Sequence, residues 1–428
     1  MIEALVLLSM FLMIAMGVPI ALSILSAALI GVFILNGYLG FLNAALSLFD
    51  GATSFPLIAI PLFVLAGALM NTGGISTRLI AFVSALIGFV RGGLAMVNVG
   101  VSLFFAEISG SAVADVAATG SVLIPAMKKK GYRPRFAAAL TSSSASLAII
   151  IPPSIPMILY GALSGTSIVQ LFVAGIIPGL LGGLLLMALC YYFAVRYDLP
   201  REEGFDLCRL WRATKEASWA LILPVIILGG IFGGIVTATE GAALAVITAL
   251  FIGVFIYREI DLRKLYHALV DGVTQTSIVM LLVASSAVLG LYLTETELPQ
   301  RMAAGITELT TNKLAVLMII NVFLLFVGMV LHGAAAIILA VPIFMPLVNQ
   351  LGIDPVQFGI LLTLNIALGQ QTPPVASVLV TSCSIAKTDV WGTTRTNLPF
   401  IGVLVLVLML VTYVPAVSLT LVEVFYGD

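Results

Sequence analysis

Long stretches of this chain contain no charged residue at all: 4–49, 51–77, 136–195, 217–239, 272–294, 355–386 and 396–422. A helix crossing the hydrocarbon of a bilayer needs about 20 predominantly apolar residues, and several of these runs are long enough for two passes. Asn36-Gly37 and Ser164-Gly165 stand at the expected turns between such passes. The pattern predicts an all-α polytopic membrane protein of about eleven transmembrane crossings plus two shorter paired segments. Only 9% of the residues are charged, against roughly 25% in soluble domains. Nineteen Lys and Arg against twenty Asp and Glu leave a net charge of -1, so no basic excess exists to neutralise phosphates and nucleic-acid binding is excluded. Cys190, Cys208 and Cys383 show no paired spacing, and His267 and His332 are too few for a metal cluster. The uncharged stretch that opens the chain far exceeds the roughly 7–15 apolar residues of a cleavable signal and is expected to form one or two retained spans.

The few charges orient the crossings. With the N-terminus inside, the inner segments hold Arg91, five basic residues in 128–135, five in 196–215, three in 258–264, and Lys387 with Arg395. Arg78, Arg301 and Lys313 fall outside, and the C-terminus is expected outside as well. Residues 202–216 and 258–271 mix both signs of charge with Leu207, Leu210, Trp211, Leu262, Leu265 and Tyr266. That spacing suggests amphipathic arms along the inner interface, although ordinary cytoplasmic loops would also carry it.

A shift of 221 positions superposes the chain's punctuation: Pro125 on Pro346, Gly131 on Gly352, Pro134 on Pro355, Pro152-Pro153 on Pro373-Pro374, and Pro178 on Pro399. Two repeats are therefore expected, following an N-terminal helix in 1–25. The first runs from 26 to 196, and the second from 217 to 424 after a cytoplasmic arm at 197–216. Lys128, Lys129, Lys130, Arg133 and Arg135 open one loop, yet its counterpart 349–356 has no Lys or Arg. The loop 164–175 has none, whereas its counterpart 385–396 has Lys387 and Arg395. Matching loops carry opposite marks, so the repeats are expected to be inverted, as in secondary transporters.

Two features in each repeat break the rules for membrane helices. Ile151-Pro152-Pro153-Ser154 and Thr372-Pro373-Pro374 lie inside apolar stretches (136–163 and 356–386), and adjacent prolines remove two backbone donors. Irregular backbone at that depth is tolerated where it faces protein or water. The freed carbonyls suit Na+ and half-helix N-termini suit a carboxylate, while a plain proline kink would need neither. Ahead of each proline pair, 94–128 and 314–348 are expected to enter and leave on the same face as re-entrant hairpins, with tips at Ser109-Gly110-Ser111-Ala112 and His332-Gly333-Ala334. Ionisable groups in such surroundings are candidate functional residues. Asp115 stands one turn beyond Ser111, and His332 stands at the second tip, where a structural histidine is an alternative. Glu240 follows Thr237 and Thr239, where a helix cap is the alternative. Glu107 is a weaker candidate. Thr141, Ser142, Ser143, Ser144 and Ser146, matching the region of Asn365, either line a polar path or serve helix packing.

The segments Ser109–Gly120, Ile151-Pro-Pro-Ser154 and Gly369-Gln-Gln-Thr-Pro-Pro374 together resemble the large membrane subunit of tripartite ATP-independent periplasmic (TRAP) transporters, and the resemblance covers nearly the whole chain. It implies an elevator-type, Na+-driven importer of an organic acid (a sialic acid or a C4-dicarboxylate) in the bacterial inner membrane. The implied partners are a small four-helix membrane subunit and a periplasmic substrate-binding protein, with no cofactor beyond Na+ as coupling ion. The implied Na+ ligands are Ser109, Gly110, Ser111 and Asp115 with Ile151, Pro152 and Ser154, and then His332, Gly333 and Ala334 with Gly369, Gln371 and Thr372. Substrate contacts are expected from Ser111, Pro153, Ser154, His332, Gln370, Thr372 and Pro374. Two other classes fit less well. A channel would be expected to show a filter run such as TVGYG, and an intramembrane enzyme would need a histidine or second acid near Ser111 or Asp115. No GxxxxGK[ST] phosphate loop occurs, so ATP-driven pumping is not expected.

Overall fold

The computed structural model describes residues 2–199, 204–310 and 312–427, with the side chains at 2, 4, 107–109, 307 and 309 excepted. All regular secondary structure among the described residues is helical, with no strand among them. Nine helical stretches among them are long and apolar enough to cross a membrane, the two arms of the second hairpin, Lys313–Val330 and Gly333–Gln350, included; about eleven crossings in addition to the hairpins were expected. Other apolar helices, such as Ile75–Ile87 and Ala416–Tyr426, have 13 and 11 residues, too few for a full crossing at about 1.5 Å per residue.

The repeats reappear as matched elements. Gly93–Ser109, Pro134–Ala145, Ile155–Ser164 and Ile168–Arg196 in the first correspond to Lys313–Val330, Pro355–Gly369, Ser377–Ala386 and Val390–Tyr413 in the second. Local chemistry sets these boundaries. Pro134 and Pro355 open their helices at the first turn, where a missing N–H costs nothing, and the Asp354 carboxylate accepts from the amides of Val356 and Gln357. Gly110, in the left-handed conformation at φ 56°, stops the first hairpin's leading arm. Each broken helix is interrupted at its proline pair, and both pairs contain a cis peptide bond.

Cross-repeat contacts show the inversion directly. Arg135, at the start of the first broken helix, pairs with Asp389 beyond the end of the second at 2.5 Å. Tyr160, near the end of the first, donates its hydroxyl to the Pro355 carbonyl at the start of the second at 2.6 Å. The start of each broken helix therefore meets the finish of its mate.

Part of the expected orientation is overturned. Arg301 pairs with Glu3 at 2.7 Å, and Asn36 donates to Glu295 at 2.8 Å. Arg78, expected outside, pairs with Glu259 at 2.6 Å and stacks over Tyr257. Leu262–Glu295 is one 34-residue helix, about 50 Å long, so its two ends lie on opposite faces. The amino-terminal end thus shares the face of Glu295 and Arg301, and Arg78 shares the opposite face with 258–264. Arg78 therefore adds a basic residue to the face that carries Arg258, Arg263 and Lys264. The amphipathic stretches run directly, from Leu207 and Leu262, into the long helices Leu207–Phe232 and Leu262–Glu295.

Candidate functional site

Both hairpin tips open onto one cavity of about 590 Å³. Gly110 and Ser111 reach it from the first tip, and His332, Gly333 and Ala334 from the second. Gln370 joins them from the second broken helix. Opposite stand Pro19, Ile20 and Ala21, with Gln275 and Ile278 from the long Leu262–Glu295 helix. Helices remote in sequence meet here because each tip is seated on the broken helix of its own repeat. A Cβ at Gly110 would press on the Pro153 carbonyl at 2.9 Å. A Cβ at Gly333 would press on Gln370 Nε2 at 2.5 Å, and the Val375 amide donates to the Met329 carbonyl at 3.2 Å.

The second tip presents donors. His332 is the N-cap of Gly333–Gln350 and makes no side-chain capping bond, so the first amides of that helix have no partner within it. Gln370 is 4% exposed, and among the described residues its side-chain amide makes no hydrogen bond.

Other expected residues lie behind the cavity wall. Asp115 is fully buried, and neither carboxylate oxygen has a hydrogen-bond partner among the described residues. Ser154 donates to the Ile149 carbonyl at 2.5 Å and caps the following helix. Ile151 and Pro152 line a separate apolar groove with Leu103 and Leu228. Gly369 packs against the backbone of Gly328. Thr372 donates to the Leu368 carbonyl at 2.9 Å, and Pro374 is exposed away from the cavity. The side chains of Glu107 and Ser109 lie outside those described.

Two residues have structural assignments. Glu240 completes a capping box, accepting from the Thr237 amide at 2.8 Å and hydroxyl at 2.9 Å. It does not line the cavity. Gln371, fully buried, accepts from Ser143 at 2.6 Å and from Asn397 at 3.3 Å. The serine-rich stretch therefore braces the second turn: Ser143 serves it across the repeats, while Ser144 donates to Asn98 at 2.9 Å. Sequence reasoning missed Gln275, whose only signal was an amide within an apolar helix.

The sequence comparisons agree with this architecture. Residues 7–417 match the family model described as "Tripartite ATP-independent periplasmic transporter, DctM component". The chain is 39% identical to the C4-dicarboxylate TRAP transporter large permease protein DctM of Pseudomonas aeruginosa, over 89% of each chain. It is 37% identical to the sialic acid TRAP transporter large permease protein SiaM of Vibrio cholerae, over 96% of each. It is also 40% identical to the isethionate TRAP transporter permease protein DctMQ of Oleidesulfovibrio alaskensis, covering 95% of this chain but 64% of that longer one. In fold it resembles the YdaH transporter of Alcanivorax borkumensis, with a TM-score of 0.62 at 14% identity over 92% of this chain and 90% of that one. These relatives are named as permeases and transporters, not as enzymes. The chain belongs to the DctM family, the large multi-pass membrane component of tripartite ATP-independent periplasmic transporters.

Proposed function

We propose that this chain carries an organic acid across the bacterial inner membrane by Na+ symport, receiving it from a periplasmic binding protein and working beside a small four-helix membrane subunit. The observation that carries the reading is the convergence of both hairpin tips on one cavity, with the Asp115 carboxylate, which has no hydrogen-bond partner among the described residues, buried behind the first tip. An unpaired buried charge is costly, and a Na+ ion held with the carbonyls and hydroxyl of Ser109, Gly110, Ser111 and the 151–154 turn would offset it. A second ion is assigned to the backbone around His332 and Gly333 with Gly369 and Thr372, with Gln371 fixing that turn from behind. The substrate's carboxylate is assigned to His332 and Gln370 at the second tip, near Ser111 of the first. The two hairpins and broken helices would move together against the long helices in an elevator motion. The basic face is cytoplasmic in this reading, and the face of Glu3 and Arg301 is periplasmic.

The names of relatives support an organic-acid substrate: a C4-dicarboxylate, a sialic acid and isethionate appear among them. Proteoliposomes containing this chain, its membrane partner and the binding protein test the coupling. Uptake of the acid delivered by that binding protein should require an inward Na+ gradient. Uptake that persists after the gradient is collapsed would overturn it.

A further inference from the structure

Among its described lining residues, the cavity shared by the two tips carries no Asp, Glu, Lys or Arg, and His332 is the one with an ionisable ring. Its remaining polar side chains are Ser111, Gln275 and Gln370. One wall is formed by Ile278, Val279 and Leu282 of the long helix, and another by Ile155 and Leu159 behind the first proline pair. The donors gather at the second tip, where His332, the uncapped amides at the start of Gly333–Gln350 and the 4% exposed Gln370, whose side chain has no partner among the described residues, adjoin one another.

This distribution discriminates among organic acids. A single carboxylate can be met by the donors at the second tip, where the helix N-terminus also favours negative charge. A second carboxylate would be pressed against the aliphatic wall of Ile278, Val279 and Leu282, away from both tips and with no Lys or Arg side chain to compensate its lost hydration. A polyhydroxylated acid would leave hydroxyls without partners along the same walls, each a loss of affinity. An aliphatic or aromatic body gains there by leaving water.

We infer that the substrate class of this chain is a monocarboxylate with an apolar body, its carboxylate held at His332, Gly333 and Gln370 and its body packed against Ile278, Val279 and Leu282. The inference deepens the transport reading above and rests on it. The test is equilibrium binding to the purified membrane complex, in Na+ and without the periplasmic protein, of three labelled probes: α-ketoisocaproate, succinate and N-acetylneuraminate. α-Ketoisocaproate should bind at least about tenfold more tightly than either other probe, a margin that a few buried methyl groups supply. Succinate or N-acetylneuraminate binding as tightly overturns the substrate class and leaves organic-acid transport standing. Binding of none of the three overturns both. Ile278 is 57% exposed, so Ile278→Asn should leave the fold intact and weaken α-ketoisocaproate about tenfold. Unchanged affinity in a monodisperse Ile278→Asn complex would overturn the assigned wall.

Discussion

Asn365 donates through Nδ2 to Asn321 Oδ1 at 2.8 Å, fastening the second broken helix to the leading arm of the second hairpin. The first repeat has the equivalent brace, in which Ser144 donates to Asn98 Oδ1 at 2.9 Å. Positions 144 and 365 are separated by the same offset as the proline pairs. Each leading arm is thus held to its own broken helix by buried side-chain hydrogen bonds, and in the first repeat Asn98 also donates to Thr141 at 2.7 Å and Ser102 to Ser144 at 3.1 Å. Inside a membrane protein such a contact locates one helix against another.

Asn321→Ala should therefore loosen the second tip. The substitution removes the bond from Asn365 and the one that Asn321 makes to Thr412 at 2.9 Å. A loss of about 1–3 kcal/mol is expected, read as a fall of a few degrees in Tm in detergent. An unchanged Tm would show the brace to be inert.

Asp115→Asn separates stability from coupling. Both carboxylate oxygens are buried without a hydrogen-bond partner among the described residues, so a neutral isostere should stabilise the Na+-free protein, by about 1 kcal/mol or more. The same change should weaken Na+ activation of uptake by about tenfold, because a carboxylate is lost from the assigned ion site. Thermal unfolding with and without Na+ checks both signs. A variant that keeps its Na+-induced rise in Tm would remove Asp115 from the ion site.

These contacts mark where the sequence stops being informative. The proline pairs, the glycines of the tips and the asymmetry of the basic loops are local signals, and they announced the chain breaks at Gly110 and His332, the broken helices and the inversion. Gln371 was expected to hold an ion because it lies within the Gly369–Pro374 motif. Its real partners, Ser143 and Asn397, come from other helices, which no local pattern reveals. Glu240 had a legible alternative as a cap, since Thr237 stands three residues before it. Glu3 was assigned to the wrong face because a single acid says little about side, and only its pairing with Arg301 decides it.

That pairing makes topology measurable. In a chain with Cys190, Cys208 and Cys383 replaced, single cysteines at Asn36 and Lys264 should react with an impermeant thiol reagent from opposite sides of the membrane. Labelling of both from one side would contradict the 34-residue crossing of Leu262–Glu295. The Glu3–Arg301 pair itself should be insensitive to pH across the physiological range. Arg301 lowers the Glu3 carboxyl to about 2, so its stabilising charge is present above the usual glutamate value and is lost only as pH falls toward 2. A labelling pattern or melting curve that changes between pH 5 and 8 would have to arise elsewhere.

Close backbone packing supplies the sharpest steric test. A Cβ at Gly369 would collide with the backbone of Gly328, which cannot swing aside as a side chain would. A Cβ at Gly328 meets the backbone of Asn365, Ile366 and Gly369 no closer than 3.3 Å, a contact that shifts of a few tenths of an ångström relieve. Gly369→Ala should therefore cost at least about 1–3 kcal/mol of overpacking and displace Gln370 and the second turn with it. Gly328→Ala should cost less and leave the turn in place. Melting temperatures give the order of the two variants, and Na+-dependent uptake in Gly328→Ala shows whether the turn survives. Equal destabilisation by both would mean that the hairpin can move away from the broken helix, and that the second tip is not fixed by this contact.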